Sequence, residues 1–110
     1  VSNIVDMPPI VGLPGITTAV VISGTAIELT DSMKYKTGQV SGAKAKNVII
    51  YVETADMRIA YGAAPVPATP FGYPIVTSKY LVLDRWEEIN TIQMIRNAST
   101  NVNLTVTSYF

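Results

Sequence analysis

The sequence contains no cysteine. That removes disulfide frameworks, thiolate metal sites and cysteine nucleophiles, and it fits assembly inside a cell better than a small secreted scaffold. Histidine is absent too. The commonest general base and the usual ligand of zinc and haem are therefore missing, and an enzyme would have to work with carboxylates, Lys or Tyr alone. Charge is scarce: eight basic residues balance eight acidic ones, and charged types make up 15% of the chain against a usual ~25%. With zero net charge there is no summed field to draw the protein to nucleic acid or to an anionic membrane surface. No apolar run approaches the roughly 20 residues of a membrane span, so a soluble, non-membrane protein is expected. The first fifteen residues, VSNIVDMPPIVGLPG, lack a basic region followed by a long apolar segment and are not a signal peptide as they stand.

What is present is apolar. Apolar types reach 48% of the 110 residues, one domain's worth of chain, leaving little charge to cover the surface. Either a neighbouring molecule covers part of that surface, or Thr, Ser and Asn do the work of Lys and Glu, as they do on many β-proteins.

The stretch Lys46 to Gly62 organises the chain. Val48-Ile49-Ile50-Tyr51-Val52 is a continuous β-branched and aromatic run, the signature of a central strand buried on both faces. After Glu53-Thr54-Ala55, Met57, Ile59 and Tyr61 alternate with Asp56, Arg58 and Ala60, the period of a strand with one buried face. The spacing predicts that the two runs pair as an antiparallel hairpin. Ile16–Ile22 and Thr25–Leu29 read as two more strands around a Ser23-Gly24 turn. Thr30–Ala45 reads as a Gly-, Ser- and Lys-rich connection with one irregular strand near Met33–Tyr35. Ile75–Leu83 reads as a strand, Asp84–Glu87 as a turn and Glu88–Arg96 as a strand. Val102–Tyr109 is the cleanest half-buried strand, with Val102, Leu104, Val106 and Ser108 on one side.

The expectation is an all-β protein: one antiparallel β-sandwich, jelly-roll or Ig-like, of about seven strands over residues 16–110, preceded by an extended arm over residues 1–15. Pro8, Pro9 and Pro14 keep that arm out of helix and out of the middle of a sheet. Its apolar residues Ile4, Val5, Met7, Ile10, Val11 and Leu13 need cover, on their own domain or on a neighbouring subunit. They are candidate partner-binding residues, together with Phe71, Tyr73 and Trp86. The Pro-rich Ala63–Pro74 segment reads as a stiff crossover between sheets.

Other clusters point less far. Lys34, Lys36, Lys44 and Lys46 gather in or beside one loop, but no aromatic or Arg residue interleaves with them, so they read as a solvated face and not as an anion site. Asp84, Glu87 and Glu88 share one turn, whereas the two carboxylates of a glycosidase must flank a cleft. Trp86, Tyr73 and Tyr80 would form a sugar-stacking platform if they converged; alone, Trp86 reads as a cap on the core. Arg58 and Arg96, among apolar neighbours, are expected to pair with Asp56, Glu53, Asp84 or Glu88. No cofactor or metal site is expected.

The order Val52-Glu53-Thr54-Ala55-Asp56-Met57-Arg58, Gly62, Pro65, Gly72, Leu83, Glu88-Ile89, Ile95-Arg96 and the terminal Leu104-Thr105-Val106-Thr107-Ser108-Tyr109-Phe110 resembles small virion-associated proteins of tailed bacteriophages, often described as structural or head-decoration proteins. The resemblance covers residues 48–110; the Pro-rich arm and the Ala63–Pro74 segment depart from it. It implies a non-enzymatic β-sandwich, homo-oligomeric, assembled in the host cytoplasm into a virion, where it binds the major capsid protein or copies of itself. A tail or head–tail connector component, or a carbohydrate-binding module for host attachment, are the alternatives.

Overall fold

The structure is a computed structural model and describes residues 3–5, 14–36 and 38–110. Along the chain lie β1 (Asn3–Val5), β2 (Pro14–Ile22), β3 (Ile27–Glu28), α1 (Asp31–Lys34), β4 (Asn47–Val52), β5 (Met57–Tyr61), β6 (Tyr73–Ile75), β7 (Tyr80–Leu83), α2 (Trp86–Thr91), β8 (Ile92–Arg96) and β9 (Val102–Tyr109). They build two antiparallel sheets, one ordered β1-β7-β4-β9-β2 and the other β3-β8-β5-β6.

The apolar run expected at the centre is there. β4 lies in the middle of the larger sheet, hydrogen-bonded to β7 on one side and to β9 on the other. Its Val48, Ile50 and Val52 enter the core with Leu81 and Leu83 of β7 and Val102, Leu104 and Val106 of β9. Met57, Ile59, Ile75, Ile92 and Met94 of the second sheet join the same cluster, so the two sheets enclose one apolar interior. Ile49 and Val82 face each other across β4 and β7 and are buried outside that cluster, which accounts for an unbroken apolar run where one buried face would have required alternation.

The expected β4–β5 hairpin does not form. β5 belongs to the other sheet, and Glu53-Thr54-Ala55 carries the chain between the two. The polar residues of that link bond to the start of β9: Glu53 N–H donates to the Asn103 carbonyl at 2.9 Å, and Thr54 Oγ1 accepts from Asn103 N–H at 2.9 Å. Ala63–Pro74, read as a crossover, instead connects β5 to β6 within one sheet. The crossing to the larger sheet comes after β6, so Ile75–Leu83 is two strands in two sheets and not one.

Two segments read as strand are partly helical. Met33 lies in α1 and enters the core together with Leu29, which precedes the helix; Tyr35 then makes a single bridge to Lys44. The segment Glu88–Arg96 divides into the last turn of α2 and β8. Ile89 is buried from the helix and Ile92 from the first strand position, so a helical three-residue spacing and a strand alternation meet at one residue. The strands also outnumber the expected seven among the described residues. The additions are short: β6 contains Pro74, and β1 extends a sheet edge with a segment assigned above to the arm. β2 likewise begins at Pro14, inside the arm boundary drawn at residue 15.

Candidate partner-binding surface

Phe71 and Tyr73 stand out of the described surface. Their side chains are 49% and 50% exposed, and Val66 and Val76 beside them in sequence are exposed as well. No charged residue occurs between Ala63 and Val76. An apolar side chain left in water forgoes about 1 kcal/mol or more of available burial energy. Aromatics held this way are the usual anchors of protein interfaces.

The backbone that presents them is fixed at several points. Val66 and Phe71 exchange backbone hydrogen bonds at 3.0 and 2.9 Å, closing a small loop above β5. Gly72 follows with φ +104°, a conformation open to glycine and costly to other residues. A Cβ there would collide with the Ile59 carbonyl oxygen and come within 3.1 Å of Pro65 and 3.3 Å of Arg58. Glycine is thus what lets the loop lie directly on β5 and turn Phe71 and Tyr73 outward. Arg58 on β5 reinforces it: its Nη1 donates to the Gly72 carbonyl at 2.9 Å and its Nε to Asn97 Oδ1 at 3.0 Å. At the far end of β6, Asp56 Oδ1 accepts from Thr77 N–H at 2.8 Å and Thr77 Oγ1 at 2.9 Å. A pocket lined by Ala60, Tyr61, Phe71, Gly72 and Tyr73 opens between the aromatics and β5.

The guanidinium contacts described are to neutral oxygens, where the sequence led to ion pairs. Arg58 bonds to an amide oxygen and a backbone carbonyl, and Arg96 Nη1 donates to Asn101 Oδ1 at 2.6 Å. Both arginines tie loops to strands, and Asp56 is committed to Thr77.

The remaining candidates are dispersed. Trp86 opens α2 and packs against the core, its ring 5.3 Å from that of Tyr35 and 4.9 Å beneath Lys44 Nζ, so it is spent within its own chain. Lys34 is largely buried, with Nζ 3.4 Å from the Asn90 carbonyl, whereas Lys36 and Lys46 are exposed; the four lysines form no common site. Ile4 and Val5 lie on β1 at the edge beside β7, Ile4 still 45% exposed. Met7, Ile10, Val11 and Leu13 lie outside the described residues.

The sugar platform that Trp86, Tyr73 and Tyr80 would form by converging does not assemble, and Trp86 packs on the core as read from the sequence. Tyr80 stacks instead on Tyr51 across β7 and β4, ring centres 4.6 Å apart. With Tyr109, Ile49, Thr105 and Thr107 this pair lines a shallow depression of about 210 Å³ on the larger sheet. Tyr51 and Tyr109 were not singled out in the sequence, although both occupy positions out of phase with the core residues beside them. Among the described residues no cluster of carboxylates suited to holding a metal ion occurs, and no helix is long and apolar enough to cross a membrane.

No family model matches the chain, and neither a curated protein nor a solved structure matches it.

Proposed function

We propose that this chain is a non-enzymatic structural protein of a bacteriophage virion, most specifically a capsid decoration or cement protein that binds the major capsid protein or neighbouring copies of itself. The observation that carries the reading is the exposed pair Phe71 and Tyr73 on a segment that itself carries no charge, held in place before any partner arrives. Pre-organisation lowers the ordering cost of association, which favours a binding role for this surface. The motif order over residues 48–110 supplies the link to virion proteins. On this reading the two sheets are the layers of a single β-sandwich of jelly-roll or Ig-like kind, and the protein resides in the virion after assembly in the host cytoplasm. A tail or head–tail connector position uses the same surface on a different partner.

The test is the composition of purified particles together with binding of the isolated protein to particles that lack it. Phe71→Ser with Tyr73→Ser should weaken binding at least tenfold while leaving the melting transition within about 0.5 kcal/mol of the parent, since both side chains are half exposed. Absence of the protein from particles overturns the reading.

The second reading, a carbohydrate-binding module for host attachment, is favoured by the depression around the Tyr51 and Tyr80 rings. Glycan binding lost in Tyr51→Ala and retained in Trp86→Ala would support it.

A further inference from the structure

A sheet edge exposes unpaired backbone donors and acceptors, and folded proteins blunt such edges with shortness, charge, proline or a bulge. Among the described residues the four sheet edges are β1, β2, β3 and β6. Three of them are blunted. β1 has three residues, β3 has two and carries Glu28, and β6 has three with Pro74 in the middle. β2 is different. It is nine residues long, has no charged side chain and has proline only at its first position. Its pairing with β9 is irregular between Pro14 and Ile16 and then regular from Ile16 to Ile22. Val21 on this strand is 61% exposed, and Ile16 and Ala19 are exposed too. Beside the strand, a groove of about 420 Å³ opens between the two sheets, lined by Val20, Ile27, Leu29, Met33 and Met94 among others.

We infer that β2 pairs with β2 of a second copy, antiparallel about a two-fold axis through Ala19, joining two five-stranded sheets into one. A two-fold perpendicular to the sheet keeps equivalent faces on the same side, so directly opposed residues must share a face. Centring on Ala19 uses the whole regular run: Ile16 lies opposite Ile22, Thr17 opposite Val21, Thr18 opposite Val20, and Ala19 opposite itself. Every opposed pair is uncharged, and Thr–Val and Ile–Ile are favourable cross-strand neighbours. The core-side residues of the incoming strand extend the apolar lining over the groove. Such an interface is isologous and closes at two copies, which distinguishes a dimer from an open filament. The inference rests on β2 alone and stands independently of the role of Phe71 and Tyr73.

The absence of cysteine makes a direct test available. In the full chain, Ala19→Cys places two thiols across the axis, where facing Cα atoms are about 4.5 to 5.5 Å apart, within disulfide reach. Thr17→Cys places them four residues apart along the strands, roughly 14 Å, beyond it. Mild oxidation should therefore link Ala19→Cys into covalent dimers and leave Thr17→Cys unlinked. Sedimentation equilibrium should find the parent dimeric at micromolar concentration. Ala19→Lys, at an exposed position, should be folded by circular dichroism and at least tenfold weaker in self-association. A monomeric parent, a dimer indifferent to Ala19→Lys, or equal cross-linking of the two cysteine variants overturns the inference. Loss of particle binding in Ala19→Lys with a monomeric parent also overturns it, by giving the edge to another protein.

Discussion

Gly72 lies against the Ile59 carbonyl on the neighbouring strand, with no room for a side chain between them. The contact lets the β5–β6 connection sit flush on the sheet. Gly62 has a similar positive φ, +75°, but nothing within 4 Å of the position a Cβ would take. The two glycines separate backbone strain from steric exclusion. Gly62→Ala should cost about 1 to 2 kcal/mol, the penalty of a left-handed alanine. Gly72→Ala adds displacement of the loop and should cost about 3 kcal/mol or more, read as the difference in urea unfolding free energy. Equal losses would show that the close approach is unimportant.

Arg58 holds the same loop from below. Replacing it with Met keeps much of the apolar stem and removes both hydrogen bonds, to Gly72 and Asn97. Hydrogen bonds from a charged donor contribute about 1.5 to 3 kcal/mol each, less where water can substitute, so a loss of about 2 kcal/mol is expected by urea denaturation. Arg58→Lys should recover part of it, since one ammonium cannot reproduce the guanidinium's two directions.

Ser108 is fully buried, and its Oγ donates to the Met33 carbonyl at 2.6 Å. That bond fastens α1 to β9. Ser108→Ala leaves the carbonyl without this partner and should lower stability by about 1 to 3 kcal/mol in thermal or urea melts. An unchanged stability would mean that water replaces the hydroxyl.

Ile50 sits at the centre of β4, wholly buried, whereas Val21 is mostly exposed on an edge strand. Ile50→Asp puts an unpaired carboxylate between two sheets, a cost comparable with the ~5 to 15 kcal/mol that holds a small domain together. It should abolish cooperative unfolding. Val21→Asp should leave the fold intact, within about 1 kcal/mol.

These contrasts show what the sequence disclosed. Burial phase was legible wherever a strand was long: Val102, Leu104, Val106 and Ser108 are the buried face of β9, as their alternation says. Partner choice was not. Glu53-Thr54-Ala55 has the length and polarity of a hairpin turn, yet it crosses between sheets because its donors and acceptors meet Asn103 and Asn101, some fifty residues away. Nothing local distinguishes the two outcomes. The same holds for Tyr51 and Tyr80, whose stacking depends on β4 and β7 being neighbours. Phe71 and Tyr73, half exposed in the structure, stood out as candidates because their surroundings, proline and glycine without charge, are unusual in themselves.

The position of β9 governs how the molecule comes into being. The last strand of the described chain is inserted between β4 and β2, joining Thr107 to Thr17 and to Ile49. Until it is synthesised, β2 has no neighbour among the described strands and β4 lacks one flank. The larger sheet therefore cannot close progressively on the ribosome; it waits for residues 102–109, and its long-range pairings favour slow folding. A stalled or prematurely terminated chain would expose two unsatisfied apolar strands, and so would a nascent chain held by a C-terminal tether too short to release Tyr109.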